Sequence, residues 1–207
     1  MRPTSVLSLA IALPTTVLAD HFFRYVGGNT VINEERLRFS SSSSRQYPGV
    51  APAPHSPADH FSRIYINDLS YPGNSNVNKI LQGVETYEPA PPVSSFYGLS
   101  PEDGVDSAYR LKRSFDVSSE GDDFLSLKWE TVETANGKQL LRYLNDEHGE
   151  WRWIAVREPA SGEWAPWWIK PTAANLGNLT TWDYDVVDIE VVEAGPRNST
   201  APRGVNE

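Results

Sequence analysis

The chain reads as a mainly β protein, an antiparallel meander forming a sandwich or barrel-like domain, with one short helix and an irregular Pro/Ser-rich N-terminal half. Three observations predict this. Apolar and polar residues alternate with period two through much of 123–193, an Asn136-Gly137 pair sits between two such runs, and prolines and serines interrupt 20–122 so often that only short elements fit between them.

The first residues stand apart from the fold. Arg2 places a positive charge ahead of an apolar run from Val6 to Leu13 broken only by Ser8, and Val17 and Ala19 then occupy the −3 and −1 positions of a signal-peptidase site. Residues 1–19 are therefore expected to be a cleaved secretory leader, with the mature chain beginning at Asp20 and exported from the cell. Pro14 ends the apolar run far short of the roughly 20 residues a membrane span requires, so no span is expected.

In the first mature half, short strands are expected over 22–26, 30–39 and 61–67, separated by the serine run 40–44 and the proline-rich stretch 47–54. Between Asn74 and Glu85, Val77, Ile80, Leu81 and Val84 recur at helical spacing behind a polar start, which predicts the short helix. Pro89, Pro91, Pro92 and Pro101 break the chain again.

The second half is more regular. Leu125, Leu127, Trp129 and Thr131 share one face of a strand, and Asn136-Gly137 turns it into a partner over 139–144, both turn residues tolerating the positive φ of a type I′ turn. Further turns at 145–149 and 159–162 set off strands over 151–157 and 164–170. In a last strand, Tyr184–Glu193, Val187, Ile189 and Val191 line one face and Asp188 and Glu190 mark the other. The hydrophobic core is expected in 123–193, ahead of a polar tail, 194–207.

Composition narrows the function classes. The net charge of −9, more negative by one once Arg2 leaves with the leader, argues against binding nucleic acid through phosphate electrostatics. With no cysteine there is no disulfide framework, cysteine metal site or thiol nucleophile, so stability rests on a core that 7 Trp, 9 Tyr and 7 Phe can fill. The sequons Asn178-Leu179-Thr180 and Asn198-Ser199-Thr200 fit an exported glycoprotein, with Asn178 and Asn198 as acceptors.

The densest unusual feature is aromatic. Most of the indoles in 150–169 read as core filling in place of disulfides, but the neighbours Trp167 and Trp168 must point to opposite faces of a strand. One of them is thereby expected to leave the core and, with Trp164 nearby, to offer a flat binding surface to a sugar ring or a protein. Other clusters carry less chemistry. Asp146, Glu147 and Glu150 surround His148 at a turn, as a solvated charged patch would, and His55, Asp59 and His60 in a proline-rich loop lack the single-face geometry of a zinc helix. Neither a metal nor a cofactor is expected, and no nucleophile elbow or phosphate loop is present. Lys112-Arg113 resembles a dibasic processing site, with surface charges in a strand as the plainer reading.

The leader, the Trp-rich hairpin over 151–170 and the apolar strand over 185–192 with its polar tail together resemble the small secreted β-rich proteins of filamentous fungi. That resemblance implies an extracellular protein, some of whose relatives act as effectors on a host and some of which sit in secondary-metabolite clusters; the absence of cysteine departs from the disulfide-rich effectors. Two functions are expected to compete. The first is a non-enzymatic secreted protein binding a host protein or cell-wall glycan through Trp164, Trp167 or Trp168. The second is a small cofactor-free cyclase or isomerase with a pocket in the β-domain.

Overall fold

The computed structural model describes residues 21–39, 46–51, 63–69, 78–85, 93–102, 105–143, 150–173 and 176–194. The expected leader and its cleavage site, the serine run, His55, Asp59, His60, Asp146, Glu147, His148 and Asn198 lie outside the described residues.

Among the described residues ten antiparallel strands make one curled sheet: β1 (His21–Gly27), β2 (Arg63–Leu69), β3 (Asn78–Glu85), β4 (Val93–Glu102), β5 (Val105–Ser114), β6 (Trp129–Glu133), β7 (Gln139–Tyr143), β8 (Arg152–Arg157), β9 (Trp164–Ile169) and β10 (Tyr184–Glu193). The order is β1-β2-β3-β4-β5-β9-β8-β10-β7-β6, and β1 pairs again with β10, so the sheet returns on itself. Closure is uneven. β1 and β10 are matched from His21↔Glu193 to Gly27↔Val187, whereas among the described residues β1 meets β2 at the single pair His21↔Ile64. The β6–β7 hairpin reaches β10 at Glu190↔Leu140 and β3 at Lys79↔Trp129.

The mainly β, barrel-like expectation therefore holds, but the short helix does not. Residues 78–85 form β3, paired with β2 from Asn78 to Val84 and with β4 from Gln82 to Glu85. The apolar spacing there covers too few residues to separate a helical period from a strand. The β-branched Ile80 and Val84 favour the strand, and Gly83 weakens a helix, once partners stand on both sides. Helical structure among the described residues is confined to two 3-10 turns, Val117–Ser119 and Gly177–Thr181.

Two further expectations change in detail. The segment 30–39 is a turn followed by isolated bridges: Asn29 and Asn33 side chains accept from the backbone of Val31 and Gly27, Glu34 takes a φ of 65°, and Arg36 and Arg38 make single bridges to Arg24 and Gly49. Polar side chains that satisfy backbone donors locally compete with a ladder. In the hairpin, only Gly137 has positive φ, at 76°, and its N–H bonds to the carbonyl of Thr134. The turn is thus a hydrogen-bonded turn over Ala135 and Asn136 followed by a left-handed Gly137, with the Thr134 N–H on the Lys138 carbonyl closing the loop, rather than type I′.

The last five strands are two hairpins, β6–β7 and β8–β9, with β10 laid between them. The interior is packed by Phe23, Tyr25, Tyr97, Leu99, Leu111, Trp129, Leu141, Trp153, Trp168, Val187 and Ile189, so both halves of the chain supply it. Pro166 is accommodated in β9 because its imide nitrogen falls between two pairings on that edge, the Val50 bridge at Trp164 and the β5 ladder beginning at Trp167.

Candidate functional site

Alternation on β9 sends Trp168 inward and Trp167 outward, as the sequence requires, yet neither is exposed. Trp168 lies against Trp153 with ring centroids 5.0 Å apart, and Trp153 stacks on Trp129 at 6.4 Å and 3°. Trp164 and Trp168 belong to the interior core, while Trp167, 1% exposed, belongs to a second core on the outside of the sheet. The aromatic surface expected at Trp164, Trp167 and Trp168 is therefore absent. A sheet exposes an outward Trp only if nothing covers that face, and here the 3-10 turn Gly177–Thr181 folds over it, with Leu179 and the half-buried Leu176 and Trp182 packed on Ile154, Val156, Trp167 and Ile169.

Cross-strand register specifies this outer face row by row. Val186, Ile154, Trp167 and Arg110 face one another across β10, β8, β9 and β5, and Arg152, Ile169 and Ala108 form the neighbouring row. The cover leaves a gap beside β10: a pocket of about 210 Å³ lined by Ile154, Ile169, Pro171, Leu176, Leu179, Arg152, Thr180 and Tyr184. Its floor is aliphatic and buried. Arg152, Thr180 and Tyr184 are exposed at its edge, Tyr184 by 55%, and Val186 lies exposed beside them.

The charges around this pocket are unequal in their engagement. Glu150 accepts from Thr172 Oγ1 at 3.1 Å and lies 3.7 Å from Lys170 Nζ. The Arg152 side chain makes no hydrogen bond or ion pair among the described residues. On the far side of the outer face, Arg110 is ion-paired with Glu158 and lies over the Tyr47 ring at 4.0 Å.

The remaining sequence candidates resolve into structural roles. Lys112 and Arg113 lie within β5; Lys112 pairs with Glu120, and Arg113 is fully buried with its guanidinium 3.7 Å over the Phe39 ring, which takes the dibasic pair out of protease reach in the folded chain. Glu190 is buried on the outward side of β10 in a network with Arg24 Nε at 2.7 Å and Lys138 Nζ at 3.5 Å, and Glu34 binds the same two cations at 2.8 and 3.0 Å. Burial alone would raise the Glu190 carboxyl, but the bond from Arg24 and the charges of Arg24 and Lys138 prevail and hold it below its ordinary value. No group of three or more His, Asp or Glu among the described residues is placed to hold a metal. Asn178 falls in the 3-10 turn that walls the pocket.

Sequence reasoning does not single out Arg152, Thr180 or Tyr184. One signal is present: alternation along β10 puts Tyr184 and Val186 on the same face as Asp188 and Glu190, so the polar face of that strand begins with two apolar residues. No family model, curated protein or solved structure matches this chain.

Proposed function

We propose that the protein works outside the cell as a non-enzymatic binding protein whose ligand site is the outer-face pocket beside Tyr184, not the indoles of β9. The observation carrying this reading is the contrast in burial: Trp164, Trp167 and Trp168 are all withdrawn into cores, while Tyr184 stands half-exposed at the edge of an aliphatic concavity. Apolar pockets with a few polar groups at the rim are the usual form of a small-ligand site. Among the described residues no carboxylate or imidazole lines it, which gives the competing cyclase or isomerase less support there. The interior, where such an enzyme would keep its pocket, is occupied by Trp129, Trp153 and Trp168.

The test is ligand-observed NMR on the secreted protein with three arms: small apolar compounds, soluble cell-wall oligosaccharides and a host extract. Small apolar compounds are expected to bind, and Tyr184→Ala to weaken them while leaving the circular dichroism spectrum unchanged. Binding of oligosaccharide or host protein that survives Tyr184→Ala, with no small compound bound, overturns the assignment of the site.

A further inference from the structure

Resting on that reading, we propose that the pocket takes a small apolar carboxylic acid in its ionised form, with the acid's tail on Ile154, Ile169 and Leu179 and its carboxylate on the Arg152 guanidinium.

The lining defines the tail. Of the eight described residues around the pocket, five, Ile154, Ile169, Pro171, Leu176 and Leu179, offer no side-chain hydrogen-bonding group. A sugar would bring hydroxyls against surfaces unable to satisfy them, and each buried unsatisfied polar group costs on the order of 1–3 kcal/mol. An alkyl or phenyl group loses nothing there. The volume, about 210 Å³, is below the roughly 300–1,000 Å³ of pockets that hold drug-sized molecules, so the ligand is small.

The rim defines the head. Among the described residues Arg152 is the single charged member of the lining, and its guanidinium has no acidic partner there because Glu150, two positions earlier, is engaged by Thr172 and Lys170. A guanidinium presents paired N–H donors that match both oxygens of a carboxylate, and Arg152 is the last outward residue of its row, next to Ile169, so the charge stands at the end of the aliphatic floor. The hydroxyl of Tyr184 shares the rim and can donate to the same head group. A dianion such as phosphate fits less well: one cation answers half its charge, and a chain of net charge −9 repels it more strongly than a monoanion. That repulsion is screened beyond about 8 Å at physiological salt, so Arg152 dominates at the pocket itself.

Isothermal titration with straight-chain acids from hexanoate to decanoate and with 4-phenylbutyrate, each beside its primary amide, tests the proposal at neutral pH on the full secreted chain. The acids are expected to bind more tightly than their amides by about fivefold or more, the scale of one partly exposed charge-assisted contact. Arg152→Gln should erase that preference while retaining amide binding, and Tyr184→Ala should weaken acid and amide together. Acid and amide bound equally, with Arg152→Gln indistinguishable from the wild type, overturns the head-group assignment and leaves the pocket standing. No binding of either series overturns both.

Discussion

The indole Nε1 of Trp153 on β8 donates to the backbone carbonyl of Leu141 on β7 at 2.8 Å, a buried bond between strands that are not hydrogen-bonded neighbours in the sheet. Through it the two hairpins flanking β10 are tied to each other as well as to β10. Trp153→Phe should leave the Leu141 carbonyl only the longer bond from the Arg142 guanidinium, at 3.3 Å, and loosen the stack on Trp129. A loss of about 1 kcal/mol or more is expected from the denaturant midpoint, the net worth of one buried hydrogen bond plus the lost ring contact.

A Cβ placed on Gly137 would meet nothing within 4 Å, so a substitution there is opposed by backbone conformation alone. With φ at 76°, Gly137→Val is expected to cost about 1 kcal/mol or more, and Gly137→Asn distinctly less, because Asn tolerates the left-handed region. Equal midpoints for the two variants would show that the turn relaxes to another form.

Acid should act first on the network around Glu190. Its folded pKa lies below the ordinary 4.5, so the stability it contributes is present above that value and is lost as pH falls through the folded pKa. Glu190→Gln is expected to lower stability at neutral pH and to flatten the decline below about pH 4.5. Urea denaturation at a series of pH values measures both effects; parallel profiles for the two proteins would exclude the network as their source.

At the alkaline end the buried phenols decide. Burial pushes Tyr143 up to about 12, backbone donors from Lys128 and Leu127 only partly offsetting it, and burial raises Tyr25 well above its ordinary 10.0, where its hydroxyl donates to the Trp164 carbonyl at 3.1 Å. Both stay neutral in the fold, so their contribution is complete below pH 10.0 and is withdrawn as the pH rises beyond it. Tyrosinate absorbance should therefore retain a fraction that does not ionise near pH 10 and appears together with unfolding, and this fraction should shrink in Tyr25→Phe and Tyr143→Phe.

Much of the second half is legible in the sequence because period-two alternation and turn residues act over a few positions. β10 coincides with the expected strand, Tyr184–Glu193, and the turn falls at Gly137 as expected, though its type differs. β3 escapes such reading because Val77, Ile80, Leu81 and Val84 satisfy a helical period over a window too short to exclude a strand, and the pairing that decides lies on β2 and β4. The site is hidden for a similar reason. Opposite faces for Trp167 and Trp168 follow from the strand itself, but whether the outer face is bare depends on Leu176, Leu179 and Trp182 folding back over it, which alternation cannot report.

The pairing of β1 with β10 has a consequence for when the molecule can fold. During synthesis the first strand leaves the ribosome long before its matched partner exists, and β8 likewise waits for β10 at Tyr184, Asp185 and Val186. Contacts between opposite ends of a chain slow folding, because the loop between them must be ordered before the pairing repays it. The two hairpins can form locally and early, but the curled sheet stays open until the last strand arrives. A ribosome-stalled or proteolysed chain ending before Tyr184 would carry the Trp-rich interior uncovered and be a target for chaperones, whereas the finished chain closes in one late step.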